Sequence, residues 1–259
     1  SYLFYAFDYR YDYYCKTSAY DLVKQIFNDE QLIAVLFGQF GDYGITPKKA
    51  SFFIHASIVN HYLDGGWYPQ GGSGVIGNEI CKTIKQHGGE VLVGKAVKKI
   101  LTNKHGAYGV EMENGDIIKS SNVVSATGLR NTFEKLVDVP EKSIYNKMLT
   151  KMPSSVKHIY CFVKLEGDPQ ELNLSSSNYW IYPHNDYEKV MDDFLEDPLN
   201  APIPLFMGFS CMKDRDWSKK YPNVSNAIIL TVGKKEWFEE WENERCMKRG
   251  ADYESFKTQ

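Results

Sequence analysis

Apolar residues recur along this chain at two periods, and the change from one to the other marks its organisation. Residues 1–63 follow the three-to-four spacing of helices. Ser18 can cap a short helix through Gln25, and Glu30–Phe37 carries a second apolar stripe. Thr46-Pro47 is a helix-entry pair, and Lys48–Leu63 follows it. That last helix is apolar over most of its surface (Phe52, Phe53, Ile54, Ile58, Val59), which predicts burial. Asp64-Gly65-Gly66 ends it. Ile76, Ile80 and Ile84 then predict a helix from about Gly74 to Gln86, stopped by Gly88-Gly89.

From Glu90 the period shortens to that of strands. Glu90–Val93, Ala96–Thr102, Ala107–Met112 and Asp116–Lys119 are candidates, the last two flanking the hairpin signal Asn114-Gly115. Asn122–Gly128 reads as a short buried parallel strand opening into small residues, followed by a helix from about Asn131. Beyond Ser154, strands at Val156–Leu165, Tyr179–Tyr182, Pro204–Ser210 and Ala227–Val232 alternate with helices at Tyr187–Leu195 and Glu236–Cys246. The predicted fold class is α/β plus α+β, with a boundary near Pro140. In domains this reads as 1–63 helical, 64–139 an α/β portion, and 140–259 a mainly antiparallel sheet with helices.

The stretch Gly65-Gly66-Trp67-Tyr68-Pro69-Gln70-Gly71-Gly72-Ser73-Gly74 dominates the first half. Five glycines and a proline permit turns and close backbone approaches that side chains forbid. Feeding a helix, such a turn leaves N–H groups aimed outward at an electron-rich group. Gly72, Gly74 and Gly77 spell GxGxxG, but that fingerprint needs a strand before it and an acid ending the next strand. Trp67–Gly71 cannot be a central strand, and Glu90 precedes the next strand, so the match is accidental.

Composition narrows the function classes. Apolar residues make up 43% and charged residues 24%, ordinary for a globular protein, and the net charge of −3 lacks the basic footprint of a nucleic-acid binder. The longest apolar runs are far too short to span a bilayer. Aromatics at 14% suit packing against or binding large apolar groups. Cys15, Cys81, Cys161, Cys211 and Cys246 are scattered without CxxC, which predicts buried reduced thiols. The histidines show no metal-ligand spacing. The acidic run Glu239–Glu244 reads as a solvated helix face. Beginning at Ser1 and stopping soon after a charged pattern, the chain reads as a middle section of a longer protein.

Helical spacing puts Ile54, Ile58 and His61 on one face of a helix that runs into Trp67 and Tyr68. An apolar wall ending in aromatics and a histidine suits a long apolar substrate with one polar end. Tyr68 and His61 are then the candidate catalytic residues, as proton donors. The alternative is that His61 only hydrogen-bonds a backbone group and that Trp67 and Tyr68 pack in the core.

The glycine stretch, Val97-Lys98-Lys99-Ile100, Gly109-Val110 and Val123–Gly128 resemble the phytoene-desaturase and carotenoid-isomerase branch of FAD-dependent oxidoreductases. Tyr43–Pro47, His55-Ala56, Val59–Tyr62, Leu129–Thr132, Ser177–Trp180, Trp237–Trp241 and Lys248–Lys257 narrow the resemblance to its polyene-saturating members. The resemblance implies part of a Rossmann-like, GR2-type FAD domain with a substrate domain over the flavin. It places Val97 at the adenine end of FAD, Ala126, Thr127 and Gly128 near the adenosine and pyrophosphate, and Gly71 and Gly72 near the isoalloxazine ring. On spacing alone, Val97 is a strand core residue and Ala126–Gly128 a simple strand-to-helix turn.

The implied reaction is saturation of a double bond in a conjugated polyene lipid such as all-trans-retinol, with FAD and NAD(P)H as donor. An isomerase or desaturase of carotenoids or polyunsaturated fatty acids is the alternative on the same scaffold, and a flavin-free structural or binding subunit is a third. The resemblance also implies peripheral contact with the endoplasmic reticulum membrane. The family's opening strand–GxGxxG–helix and its C-terminal glycine-rich segment, parts of the same protein that would complete the FAD cradle, have no counterpart in these residues.

Overall fold

The computed structural model describes residues 9–138, 144–152, 156–244 and 247–258. The chain divides into two compact units, residues 1–77 with 156–259, and residues 78–155. Pro140, where composition suggests a boundary, lies outside the described residues, as does Cys246.

The first unit opens with α1 (Tyr9–Lys16), α2 (Ala19–Lys24), α3 (Glu30–Phe37), a 3-10 turn (Phe40–Asp42) and α4 (Phe52–His61). Each of the last three α-helices starts where a short polar side chain accepts from the first free N–H groups: Ser18 from Asp21, Asp29 from Gln31 and Leu32, Ser51 from Ile54. Helix α5 (Gly74–Gln86) follows the glycine turn with the bounds that its isoleucine spacing predicts.

The second unit holds a three-stranded antiparallel meander, β1 (Val97–Asn103), β2 (Gly106–Met112) and β3 (Ile117–Lys119). Its second hairpin turns at Asn114-Gly115, where Gly115 takes φ +88° and Met112 N–H donates to the Asp116 carbonyl at 2.9 Å. A π-helical stretch (Asn131–Leu136) and α6 (Ile144–Lys151) complete it. The Arg130 guanidinium donates to the carbonyls of Leu149 and Met152 at 2.8 and 2.9 Å, satisfying the C-terminal end of α6.

The chain then returns to the first unit with β4 (Lys157–Glu166), β5 (Tyr179–Ile181), α7 (Tyr187–Glu196), β6 (Leu205–Gly208), a short α8 (Trp217–Lys220), β7 (Val224–Gly233) and α9 (Gly250–Phe256). The four strands form an antiparallel sheet in the order β4-β7-β6-β5. The main core unites segments far apart in sequence: Ala19, Val23, Ile33, Ala34, Phe37 and Phe40 pack with Tyr187 and Met191 of α7. Tyr187 Oη donates to the Ala34 carbonyl at 2.7 Å, and Tyr182 Oη to that of Gly38 at 3.0 Å. Each large apolar side chain buried there contributes about 1.5–3 kcal/mol.

Several expectations need correction. Glu90–Val93 and Asn122–Gly128 form no strands. A strand exists only where backbone groups find partners, and no described strand pairs with either segment. Val93 and Val124 accordingly stand 84% and 94% exposed. Helix α4 buries only His55, its Phe53, Ile54 and Val59 remaining exposed. Tyr14 and Tyr11 of α1 cover Phe52 and Phe53 in part, so its apolarity is met by aromatic neighbours rather than by an interior. The helix expected at Glu236–Cys246 is a 3-10 segment, Lys235–Trp241. Trp241 is drawn inward there, donating to Asp252 at 3.0 Å and packing on Tyr253 and Phe256. The four described cysteines are free thiols, of which only Cys211 is buried.

Candidate active site

In the first unit, Gly71 and Gly72 adopt φ +94° and +89°, a region side-chain-bearing residues avoid. Gly72 N–H donates to the Pro69 carbonyl at 3.0 Å and Val75 N–H to that of Gly72 at 3.1 Å, closing the turn onto α5. A Cβ on Gly71 would lie 2.9 Å from Val75 Cγ2, whereas one on Gly72 would meet only the Tyr68 hydroxyl at 3.9 Å. Gly72 therefore offers bare backbone with room beside it. No strand precedes the turn, so the GxGxxG spelling carries no dinucleotide geometry. Trp67 is 93% exposed, and Tyr68 lies against the turn.

The same unit brings His61 together with residues whose roles the sequence pattern does not reveal. The His61 ring lies 5.1 Å from that of Tyr62, and the Tyr62 hydroxyl lies beside the Asp42 carboxylate, each acting on the other's titration. Protein crowded around Asp42 raises its pKa above the ordinary carboxylate value, an effect that the Tyr62 hydrogen bond and His61 oppose. A carboxyl held toward its protonated form beside a phenol and an imidazole can hold and pass a proton. Next to them, Tyr43 Oη and His55 Nδ1 are 3.1 Å apart. Burial lowers the His55 pKa, leaving the ring neutral, and raises that of Tyr43. Only the local motif around Tyr43 and the exclusion of charge from an apolar helix face could have pointed to this group. His61 and Tyr68, both named from sequence, contact different partners: His61 the Asp42–Tyr62 pair, Tyr68 the glycine turn.

One sheet face in this unit is an aromatic strip. Tyr160 pairs with Leu230, Leu230 with Phe206, and Phe206 with Trp180, one row across all four strands. Directly opposed residues share a face, so these side chains stand side by side. Beside the row, Phe162 stacks on Tyr160 at 5.8 Å with the rings 6° from parallel. At one end Phe40, Gly41 and Tyr182 close over Trp180 and Phe206, leaving a cavity of about 40 Å³. At the other, Tyr160 and Phe162 are 53% and 74% exposed. Ile54 is exposed and Ile58 half-buried on α4.

In the second unit, Val97 opens β1 and is 36% exposed. Ala126, Thr127 and Gly128 form a loop fastened by side chains. Thr132 Oγ1 donates to the Gly128 carbonyl at 2.8 Å and lies 2.7 Å from Ser125 Oγ, while Asn131 Nδ2 donates to the Thr127 carbonyl at 2.9 Å. Gly128, at φ +90°, faces open space. Bare positive-φ backbone at Gly72 and Gly128, each held from behind, fits the close approach of a flavin cofactor in each unit separately. Among the described residues no group of three or more His, Cys, Asp or Glu side chains is placed to hold a metal ion.

All-trans-retinol 13,14-reductase of Danio rerio is 34% identical over 255 residues, covering 94% of this chain and 42% of the relative. A Danio rerio protein named inactive all-trans-retinol 13,14-reductase is 32% identical over 94% of the chain and 42% of its own length. Carotenoid isomerases and desaturases follow at lower identity. The chain thus spans about two fifths of the length of these curated relatives. An oxidoreductase from Methanosarcina mazei shares the fold, with a TM-score of 0.61 at 19% identity over 88% of this chain and 50% of that one. Residues 17–178 match the sequence profile of the flavin-containing amine oxidoreductases, and the chain belongs to that family.

Proposed function

We propose that the protein to which this chain belongs is an FAD-dependent oxidoreductase that saturates a double bond of a conjugated polyene lipid such as all-trans-retinol. The observation that carries this reading is the strip Tyr160–Leu230–Phe206–Trp180 with Phe162 beside it, open at one end and closed at the other. Four strands about 4.8 Å apart make a strip about 14 Å long. That length and flatness match an extended conjugated chain, and its aromatic faces offer stacking to a π-system. Ile54, Ile58, Trp67 and Tyr68 form a second candidate wall.

Bound flavin supplies hydride transfer. The chain's own part is to present Gly71 and Gly72 toward the ring, and Val97 and Ala126–Gly128 toward the adenosine and pyrophosphate. Reduction of a C=C bond also needs a proton, which we assign to Tyr68 or His61, the latter relayed through Asp42 and Tyr62. NAD(P)H is the proposed ultimate donor. No helix among the described residues is long and apolar enough to cross a membrane. We place the protein peripherally on the endoplasmic reticulum membrane, where the exposed Leu32, Val35 and Leu36 edge of α3 would meet lipid.

The test is turnover of all-trans-retinol by the full-length protein with FAD and a reductant. A product heavier by two hydrogens supports the reading. A redox-neutral isomer, or an oxidised product, moves the protein to the isomerase or desaturase reading. Tyr68→Phe and His61→Gln should lower turnover roughly 100-fold or more, the scale of general acid catalysis, with flavin content and melting temperature retained. Wild-type turnover in both leaves these residues structural.

A further inference from the structure

The glycine turn is tied from outside itself to a cluster around a buried carboxylate. Asp214 lies in the segment between β6 and β7, with its side chain only 4% exposed. It accepts from the backbone N–H of Asp216 at 3.2 Å and from the Lys220 ammonium at 3.4 Å; the Gly71 N–H lies near enough to favour its charged form, and Lys220 Nζ is 3.6 Å from the Cβ position of Gly71. Gln70, the residue before Gly71, donates to Asp216, which Lys219 also contacts at 3.0 Å. The platform under Asp214 is tied to the sheet. Cys211 N–H donates to Asn226 Oδ1 at 2.9 Å, and Trp217 Nε1 to the Val224 carbonyl at 2.6 Å. Burial opposes the charge on Asp214, yet those N–H groups and Lys220 hold its carboxyl below the ordinary range, so it is ionised near neutral pH.

A turn with two successive positive-φ glycines is intrinsically loose, because glycine has many alternative conformations. Asp214 constrains it from about 140 residues downstream as a charged acceptor, the stronger kind of hydrogen bond, beside the Gln70–Asp216 bond. We infer that Asp214 is a positioning residue for the cofactor, setting the Gly71–Gly72 backbone against the flavin from the substrate-side sheet. This rests on the proposal that the turn faces the flavin. It also means that a shift in the sheet is felt at the turn.

The experiment uses the full-length protein loaded with FAD and the variant Asp214→Asn, which removes the charge at nearly constant volume. Amide exchange is expected to quicken across residues 69–75. FAD affinity is expected to fall roughly tenfold or more, the scale of a hydrogen bond to a charged group. The absorption band and reduction potential of the bound flavin should change as well, which a loss of general stability would not produce. Unchanged exchange across the turn overturns the clamp. Faster exchange with wild-type affinity, absorption and potential overturns the flavin-facing reading of the turn, and the positioning role with it, while leaving retinol turnover as a separate measurement. Should Asp214→Asn fail to fold, Lys220→Met weakens the same clamp from a side chain 43% exposed. Wild-type exchange and flavin affinity in that variant overturn the inference equally.

Discussion

His55 shows how one buried group can make stability depend on pH. It is 6% exposed, packed 4.5 Å from the Phe37 ring, with its Nδ1 3.1 Å from the Tyr43 hydroxyl. Burial lowers its folded pKa, while the unfolded chain protonates near pH 6.5. The folded state therefore binds fewer protons over that interval. The contribution of the neutral ring is complete above about pH 6.5 and is lost as pH falls through the lower folded value. The melting temperature should drop on acidification below neutrality, and His55→Gln should flatten that part of the profile. A second residue-scale case is Gly41, whose Cβ position lies 2.2 Å from Trp180 Cζ3. Gly41→Ala should cost about 1–3 kcal/mol and shift tryptophan emission, because the indole must leave its place at the closed end of the strip. The sequence gives no sign of this contact, since Gly41 and Trp180 are far apart in it.

At the scale of elements, local chemistry and tertiary packing divide the work. The caps at Ser18, Asp29 and Ser51, the Asn114-Gly115 hairpin and the isoleucine-spaced α5 form as their own residues dictate. Helix α6 is different, since its last carbonyls are satisfied by Arg130 rather than by a glycine cap. Arg130→Met should cost roughly 1–2 kcal/mol and speed amide exchange over residues 144–152, without disturbing the β1–β3 meander. Equal exchange in both proteins would show that the capping is replaceable by water. The segments Glu90–Val93 and Asn122–Gly128 carry strand-like sequences and form no strand, because pairing is a property of two segments.

For the whole molecule, the bare glycine backbone lies partly in each of the two units, Gly72 in one and Gly128 in the other. The described residues include no strand–glycine–helix turn to receive a pyrophosphate, the element that supplies most N–H donors to a dinucleotide. Expressed alone, this chain should lose FAD on gel filtration and elute without a yellow chromophore. Stoichiometric flavin retained through the column would mean that the cofactor is held by other residues.

What the sequence determined by itself was local or compositional: helix starts, the hairpin, strand periods in the second half, and the glycine-rich turn before α5. Its motifs also identified the family, since motif residues keep their order whatever they touch. The tertiary structure alone decided which residues meet across long separations. Asp214 reaches Gly71, Tyr187 reaches Ala34, and the row from Tyr160 to Trp180 gathers four strands onto one face. It also decided that α4 lies half-open, because apolarity records what a helix could bury and not what arrives to cover it. The physical division is one of range. Backbone propensity, capping and turn chemistry act over a few residues, whereas burial, register and the coupling of charged groups are properties of segments that only folding brings together.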